Sequence, residues 1–294
     1  MANEIIKDAD ATATVLENAI LAAVIPAQVM LPLMLQRTLG PGESVKQFII
    51  DPAADSAAAV NEATDLTNTA VNPTKVQLTP GEVGIMYTVT DVSGRKSLQN
   101  IPQITSRGVR ACIKKWETDC TALFSGLTAN TAIGTSGTNF SFANLQAAIL
   151  SLLTADTPGP FVFVGHEVQA SDLAADIAAS SAALWGNSSV AAQRGLFGEN
   201  TSNPSGYRGT VLGVDIFAST TCPTANAGAD RSGALFRMPV DDEDGAAFAI
   251  VWSKMLGVEL QRDASLRATE VVLVSDYAVG EVRDAFGVNI VTDA

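Results

Sequence analysis

The sequence has 294 residues, of which 47% are hydrophobic and 17% are charged, a balance typical of globular rather than disordered proteins. Its formal net charge is −13, which argues against a protein that grips nucleic acid phosphates directly. No C-x-x-C pair occurs among Cys112, Cys120 and Cys222. The first two would lie about 12 Å apart along a helix, too far for a disulfide, so the chain is predicted to be reduced and cytosolic.

Residues 1–40 are predicted to form an arm. An acidic, alanine-rich, helical start is followed by a largely apolar stretch, 19–35, which has no charge and is at the short limit for a membrane span. Pro26 and Pro32 interrupt this stretch, and acidic residues precede it where a signal peptide would carry basic ones. A buried or subunit-covering arm is therefore favoured, with a membrane segment or a signal peptide as the alternatives.

A long hairpin is predicted after the arm. Its first strand is 45–50 and its return strand is 75–91, where apolar residues recur at every second position, as in a half-buried strand. These residues are Val83, Ile85, Tyr87 and Val89. The segment between the strands, 51–73, holds few large apolar residues and has too little to bury to form a core of its own. A loop of this length within a compact domain is uncommon and usually functional.

The longest predicted helix covers 102–126. Pro102 suits a first helical turn, and Gly126 suits a left-handed closing residue. Apolar residues at alternating spacings of four and three predict one buried side; they are Val109, Ile113, Trp116, Cys120, Leu123 and Leu127. The opposite side carries Arg107, Arg110, Lys114, Lys115, Glu117 and Thr118. This basic side is either a solvated surface or a face against another chain's acidic loop or an anionic interior.

Alternating helices and strands are predicted after a polar connector, 128–138. Ser141 can cap a helix that carries Leu145, Ile149, Leu152 and Leu153. A buried strand at 161–164 and a helix at 167–180 follow, and then a loose stretch at 185–207. The further predicted strands are 210–219, 234–236, 247–252, 256–261 and 268–275. Strands in separate blocks with flanking helices indicate an α+β fold.

No catalytic, cofactor or metal site is predicted. The single histidine, His166, has no cysteine or second histidine at a ligand spacing and is expected in a loop or at a helix cap. Phosphate-binding, dinucleotide-binding and nucleophile-elbow motifs are absent. Residues 93–96 match the S-x-x-K motif, but its companion motifs are absent, so a turn is expected there. Asp215 is expected at the edge of a sheet or in a turn rather than in a catalytic site. The acidic run 241–245 lacks EF-hand spacing, so a solvated loop is favoured over a cation site.

The order of these parts resembles the major capsid proteins of tailed bacteriophages, which have the Hong Kong 97-type fold. The resemblance covers nearly the whole chain. It is carried by residues 42–45, which open the hairpin, and 84–91, which close it. Residues 116–119 in the long helix, 213–216 with 218–219, and 279–290 also carry it.

The resemblance implies a name for each part of the chain. Residues 1–40 would be the N-arm, 41–95 an E-loop that reaches over a neighbouring subunit, and 96–140 the peripheral domain with its spine helix. Residues 141–250 would be the axial domain, and 251–294 strands that return to both domains. The family has no shared catalytic centre, in agreement with the absent motifs. Some relatives cross-link lysine to asparagine between subunits, but nothing marks Lys46, Lys75 or Lys96 as reactive.

The implied function is self-assembly into an icosahedral head that encloses double-stranded DNA without sequence-specific binding. The implied partners are copies of the chain in pentamers and hexamers, with scaffolding, portal and decoration proteins; no membrane is involved. The location would be the virion, after assembly in the host bacterial cytoplasm. E-loop contacts are expected from Val45, Lys46, Phe48, Asp51, Asp55, Glu62, Asp65 and Lys75. A basic patch on the inner face is expected from Arg107, Arg110, Lys114 and Lys115.

Two other functions remain open at this point. An encapsulin-like compartment would have the same fold with a protein cargo. A hydrolase with an unrecognised site belongs to a different class of protein.

Overall fold

The computed structural model describes residues 28–50, 73–96, 101–184, 206–240 and 245–293. Most of the predicted arm, the hairpin tip 51–72, the stretch 185–205 and most of the acidic run lie outside the described residues. The helices are α1 (Asp91–Lys96), α2 (Ile101–Ala122), α3 (Phe142–Thr154) and α4 (Glu167–Leu184). The first strands are β1 (Leu35–Thr38), β2 (Lys46–Ile50), β3 (Thr74–Leu78), β4 (Gly81–Thr90), β5 (Phe161–Gly165) and β6 (Tyr207–Val211). The remaining strands are β7 (Val214–Ala218), β8 (Thr224–Ala225), β9 (Asp230–Arg237), β10 (Phe248–Asp263), β11 (Ala268–Glu281) and β12 (Gly287–Asp293).

Helix α2, called the spine helix below, packs on a four-stranded sheet of order β1-β10-β11-β4. Its predicted apolar stripe is confirmed, since Val109, Ile113, Trp116, Cys120 and Leu127 are buried and Leu123 is partly buried. The Trp116 indole donates a hydrogen bond to Ser275 Oγ at 3.1 Å. Its ring meets Trp252 edge-on, with 5.1 Å between centroids.

A second sheet has the order β12-β9-β5-β7-β6, and β8 pairs with β9. Strands β5 and β7 are parallel, and the other pairs are antiparallel. Helix α3 packs on β12 and α4 packs on β7, and the Ser141 hydroxyl caps α3 by accepting from the Asn144 amide at 3.3 Å, as predicted. Leu145 and Leu152 face the core, whereas Leu153 is exposed.

A 3₁₀ turn, Leu123–Gly126, ends the spine helix and lies between the two sheets. The Phe124 ring packs against Phe236 of β9 and Phe248 of β10, with centroids 6.4 and 6.1 Å away. Gly126 does not adopt the predicted left-handed conformation. Its lack of a side chain instead makes room for the Glu281 carboxylate, because a Cβ there would lie 1.6 Å from Glu281 Oε1.

Several predicted strand boundaries were wrong. The predicted strand 210–219 is the β6–β7 hairpin, because Leu212 and Gly213 both have positive φ (53° and 79°), the geometry of a two-residue hairpin turn. The predicted return strand 75–91 is two strands, β3 and β4, separated at Thr79 and Pro80. Proline lacks the N–H that a continuous ladder requires.

Two predicted strands, 247–252 and 256–261, are one strand, β10. Its pairing with β11 passes through register shifts between Trp252 and Lys254 and between Lys254 and Gly257, so the break in alternation is a local irregularity rather than an end. The S-x-x-K match at 93–96 belongs to helix α1 rather than to a turn. Its first turn is capped by Thr90 Oγ1, which accepts from the Ser93 amide at 3.2 Å.

Candidate assembly surfaces

The hairpin formed by β2 and β3, called the hairpin base below, has one buried face and one exposed face. Phe48, Ile50 and Leu78 are buried in a small core shared with β1 and β10. Gly280 of β11 lies directly beneath Leu78, because a Cβ at Gly280 would be 2.3 Å from Leu78 Cδ2. The hairpin base is therefore fixed to the body of the chain by close side-chain packing.

The opposite face of the hairpin base carries Gln47, Ile49, Lys75 and Gln77, all of them exposed. Ile49 lies opposite Lys75 in the strand register and is 58% exposed. Sequence alternation alone did not separate this face from the buried one.

The structure places the predicted E-loop contacts in three groups. Lys75 is exposed, and Val45 and Lys46 are partly buried. Phe48 is 1% exposed and packs within its own subunit, so its expected intersubunit contact is corrected to a structural role. The predicted contacts that lie outside the described residues are Asp51, Asp55, Glu62 and Asp65.

The predicted basic patch forms one side of the spine helix. Arg107, Arg110, Lys114 and Lys115 are all exposed there. Lys115 forms an ion pair with Asp119 one turn later at 2.6 Å, and Asp119 also accepts from the Tyr277 hydroxyl at 2.7 Å. Arg107, Arg110 and Lys114 form no ion pair with any carboxylate of the described residues. Within the described ranges, they are the cations of the patch that have no carboxylate partner.

Glu117 departs from the predicted solvated side, because it is only 2% exposed. Its Oε1 accepts from the Val29 amide at 3.3 Å, the Met30 amide at 3.0 Å and the Ser219 hydroxyl at 3.4 Å. Its Oε2 accepts from the Met30 amide at 3.2 Å. Burial raises the pKa of Glu117 to about 7, while the bonds from Met30, Val29 and Ser219 oppose that rise.

The position of Glu117 links three parts of the chain. It joins the spine helix to the chain segment that precedes β1 and to the loop that follows β7. The sequence contained a signal for this role, because Glu117 lies four residues after Ile113 and three before Cys120, beside the apolar stripe. Its charge led to its assignment to the polar side.

A cleft of about 450 Å³ opens beside Glu117. Arg110, Ile113 and Lys114 form its spine-helix wall, and its opposite wall includes Gly206, Arg208 and the loop 218–221. The Arg208 guanidinium is already paired with both oxygens of Glu167, at 2.7 and 2.6 Å. Arg110 and Lys114 are therefore the cations of the cleft that can still pair with an anion, since neither forms an ion pair with a described carboxylate.

His166 and the three cysteines are the remaining side chains of interest in the described part of the chain. His166 lies just before α4, where its Nδ1 accepts from the Val168 amide at 3.3 Å, so the predicted capping role is confirmed. All three cysteines are free and buried, and burial raises the pKa of Cys222 to about 12. The described residues contain no group of acidic, histidine and cysteine side chains that could hold a metal ion. In the same part of the chain, no helix is both long and apolar enough to span a membrane.

No protein-family model matches the chain, and no curated protein matches it in sequence. Solved structures match it in fold. A structure of Mycobacterium phage Che8 is 18% identical, with a TM-score of 0.61 over 84% of each chain. The capsid of Ralstonia phage GP4 is 9% identical, with a TM-score of 0.63 over 92% of each chain. An encapsulin complex from Synechococcus elongatus is 10% identical, with a TM-score of 0.59 over 91% of this chain and 90% of that one.

The chain therefore has the fold of tailed-phage capsid proteins, the Hong Kong 97-type α+β fold that the sequence predicts. The likeness runs over most of the length of both chains, so it concerns the whole architecture rather than one sheet. The same fold also occurs in an encapsulin.

Proposed function

We propose that the chain is the major capsid protein of a tailed phage, whose copies assemble into an icosahedral head around double-stranded DNA. The observation that carries the proposal is the fold likeness to the Ralstonia phage GP4 capsid, which covers 92% of both chains. Its role is structural rather than enzymatic. Buried thiols and a histidine engaged at a helix cap support this assignment.

Assembly would use the hairpin as an E-loop. The hairpin base is held to its own subunit by Phe48 and Leu78, so it would give the tip a fixed support. The exposed face with Ile49 and Lys75, together with partly buried Val45 and Lys46, would contact the neighbouring subunit. Asp51, Asp55, Glu62 and Asp65 would extend that contact from the tip.

The remaining parts would follow the family's division into N-arm (1–40), E-loop (41–95), peripheral domain (96–140), axial domain (141–250) and returning strands (251–294). The four-stranded sheet with the spine helix would belong to the peripheral part, and the six-stranded sheet to the axial part. Pentamers and hexamers would form around the axial domains. Scaffolding, portal and decoration proteins would complete a head that assembles in the host bacterial cytoplasm.

The basic patch would face the interior of the head. Exposed Arg107, Arg110, Lys114 and Lys115 on one helix would lower the electrostatic cost of packing DNA beside an acidic shell. No base-reading contact is required for this role, because such cations meet phosphates without regard to sequence.

The E-loop assignment is tested by replacing 51–73 with a short glycine–serine turn. We expect a folded subunit that forms no closed shells. The paired strands β2 and β3 lie outside the replaced residues, whereas the contact of the tip with a neighbouring subunit would be lost. Circular dichroism reports the fold and sedimentation reports the shells. Shells of normal size from the shortened chain would contradict the assignment, and an unfolded subunit would mean that the tip belongs to the fold.

An encapsulin-like compartment is the second candidate, because an encapsulin has the same fold. The two functions differ in what the shell encloses. Particles recovered from the natural source should protect double-stranded DNA from added nuclease if the chain is a phage capsid protein. Particles that contain a defined enzyme and no protected DNA would favour the compartment.

A further inference from the structure

The cleft beside Glu117 lies where the N-terminal part of the chain joins the described structure. Val29 lines the cleft, and its amide is bound by the Glu117 carboxylate. Gly206, which has a φ of +84°, packs so closely that a Cβ there would lie 2.8 Å from Val29 Cγ2. Residue 28 therefore enters the structure at a fixed point on the cleft, and the residues before it start from that point.

The charges of the cleft and of this preceding segment are opposite in sign. Arg110 and Lys114 line the cleft and form no ion pair with described carboxylates. Residues 1–27 contain four acidic residues, Glu4, Asp8, Asp10 and Glu17, against the single Lys7. Exposed arginine and lysine in a concave site attract such carboxylates.

The apolar surfaces also match. Ile113, Val29 and Ala218 supply apolar lining to the cleft, and residues 19–27 are uncharged and largely apolar. Glu17 precedes Val29 by twelve residues, which span at most about 40 Å when extended and about 18 Å as a helix. The segment can therefore place apolar side chains in the cleft and still bring Glu17 to its basic wall.

We propose that residues 17–27 of the same chain occupy this cleft, with the Glu17 carboxylate paired to Arg110 and Lys114. The N-terminal segment would then pack beside Glu117, against the spine helix and the loop after β7. Arg107 and Lys115, which do not line the cleft, would remain as the part of the basic patch open to DNA. The inference concerns the subunit itself and does not depend on the proposed shell.

Disulfide trapping in the full chain tests the proposal. The three native cysteines are buried, so cysteines introduced at exposed positions are the reactive ones. One variant combines Ala23→Cys with Thr220→Cys, at the rim of the cleft. Its matched control combines Ala23→Cys with Thr118→Cys, another exposed threonine, which lies on the spine helix and does not line the cleft.

We expect an intramolecular disulfide to form roughly tenfold faster with Thr220→Cys than with Thr118→Cys, because docking raises the local concentration of one thiol beside the other. Reversing the charge of the cleft with R110E and K114E should slow that reaction severalfold. Adding E17K to the reversed chain should restore it. Circular dichroism of each variant checks that the subunit remains folded.

Three outcomes would overturn the proposal. Equal rates for the two cysteine pairs would mean that the segment does not occupy the cleft. A disulfide that forms only between subunits would assign the cleft to another copy of the chain. A rate that is unchanged by charge reversal would remove Glu17 as the partner of Arg110 and Lys114.

Discussion

Glu117→Gln is expected to remove the contribution of Glu117 to the pH dependence of subunit stability between about pH 5 and pH 8. The folded-state pKa of Glu117 is about 7, against an ordinary value of 4.5. The folded state therefore holds a proton that the unfolded state releases, so this group makes folding less favourable as pH rises through that range. Above about pH 8, where Glu117 is ionised in both states, the penalty is complete and constant.

The size of the effect follows from the pKa difference. At about 1.4 kcal/mol per pH unit, raising the pKa from 4.5 to about 7 corresponds to roughly 3 kcal/mol of lost stability at high pH. Little discount for solvent screening is needed because Glu117 is 2% exposed. Glutamine cannot titrate, so the wild-type and variant stabilities should diverge with pH by about this amount.

The assay is urea unfolding of both chains, followed by tryptophan fluorescence at several values of pH. Trp116 lies next to Glu117 in the sequence and is buried, which makes its emission a suitable probe. Glu82→Gln, an exposed change on β4, is the matched control for replacing a glutamate by glutamine. Parallel profiles for wild type and Glu117→Gln would refute the reasoning.

Three further predictions concern the core, the hairpin base and DNA. Trp116→Ala should lower the free energy of unfolding by about 3–5 kcal/mol through lost burial and a residual cavity. Trp116→Asp should lower it further because an unpaired charge is buried. Melting of both variants within a degree or two of wild type would disprove the packing. Gly280→Leu should raise hydrogen exchange in β2 and β3, since a Cβ at Gly280 would lie 2.3 Å from Leu78 Cδ2. Gly81→Ala, where no atom lies within 4 Å, should leave that exchange unaltered, and equal effects of the two changes would argue against the contact. The free subunit should not be retained on duplex DNA at about physiological salt, because its net charge of −13 repels the phosphates. Tight retention whose affinity falls steeply with salt would contradict this prediction.

Periodicity made the local elements predictable. The stripe from Val109 to Leu127 was readable because apolar residues facing a single sheet must recur at the helical spacing. The alternation in β4 was readable for the same reason, since its residues are alternately exposed and partly buried. Ser141 could be recognised as a cap from its chemistry alone.

The features that the sequence did not predict depend on contacts between residues distant in sequence or on unusual backbone conformations. Leu212 adopts positive φ within an apolar run, so the β6–β7 turn looked like continuous strand. Strand β1 pairs in parallel with β10 more than 200 residues later, which no local pattern encodes. Glu117 is buried because the backbone of Val29 and Met30 supplies its donors, and those donors cannot be seen from the sequence of the helix.

The most direct test of the central claim is negative-stain electron microscopy of the purified full-length chain, alone and after co-expression with the scaffolding gene from its own genome. The account predicts closed, icosahedral particles of uniform diameter, built from pentamers and hexamers of this chain. A chain that stays monomeric or forms only small oligomers under both conditions, while turning over a substrate in a hydrolase screen, would contradict it.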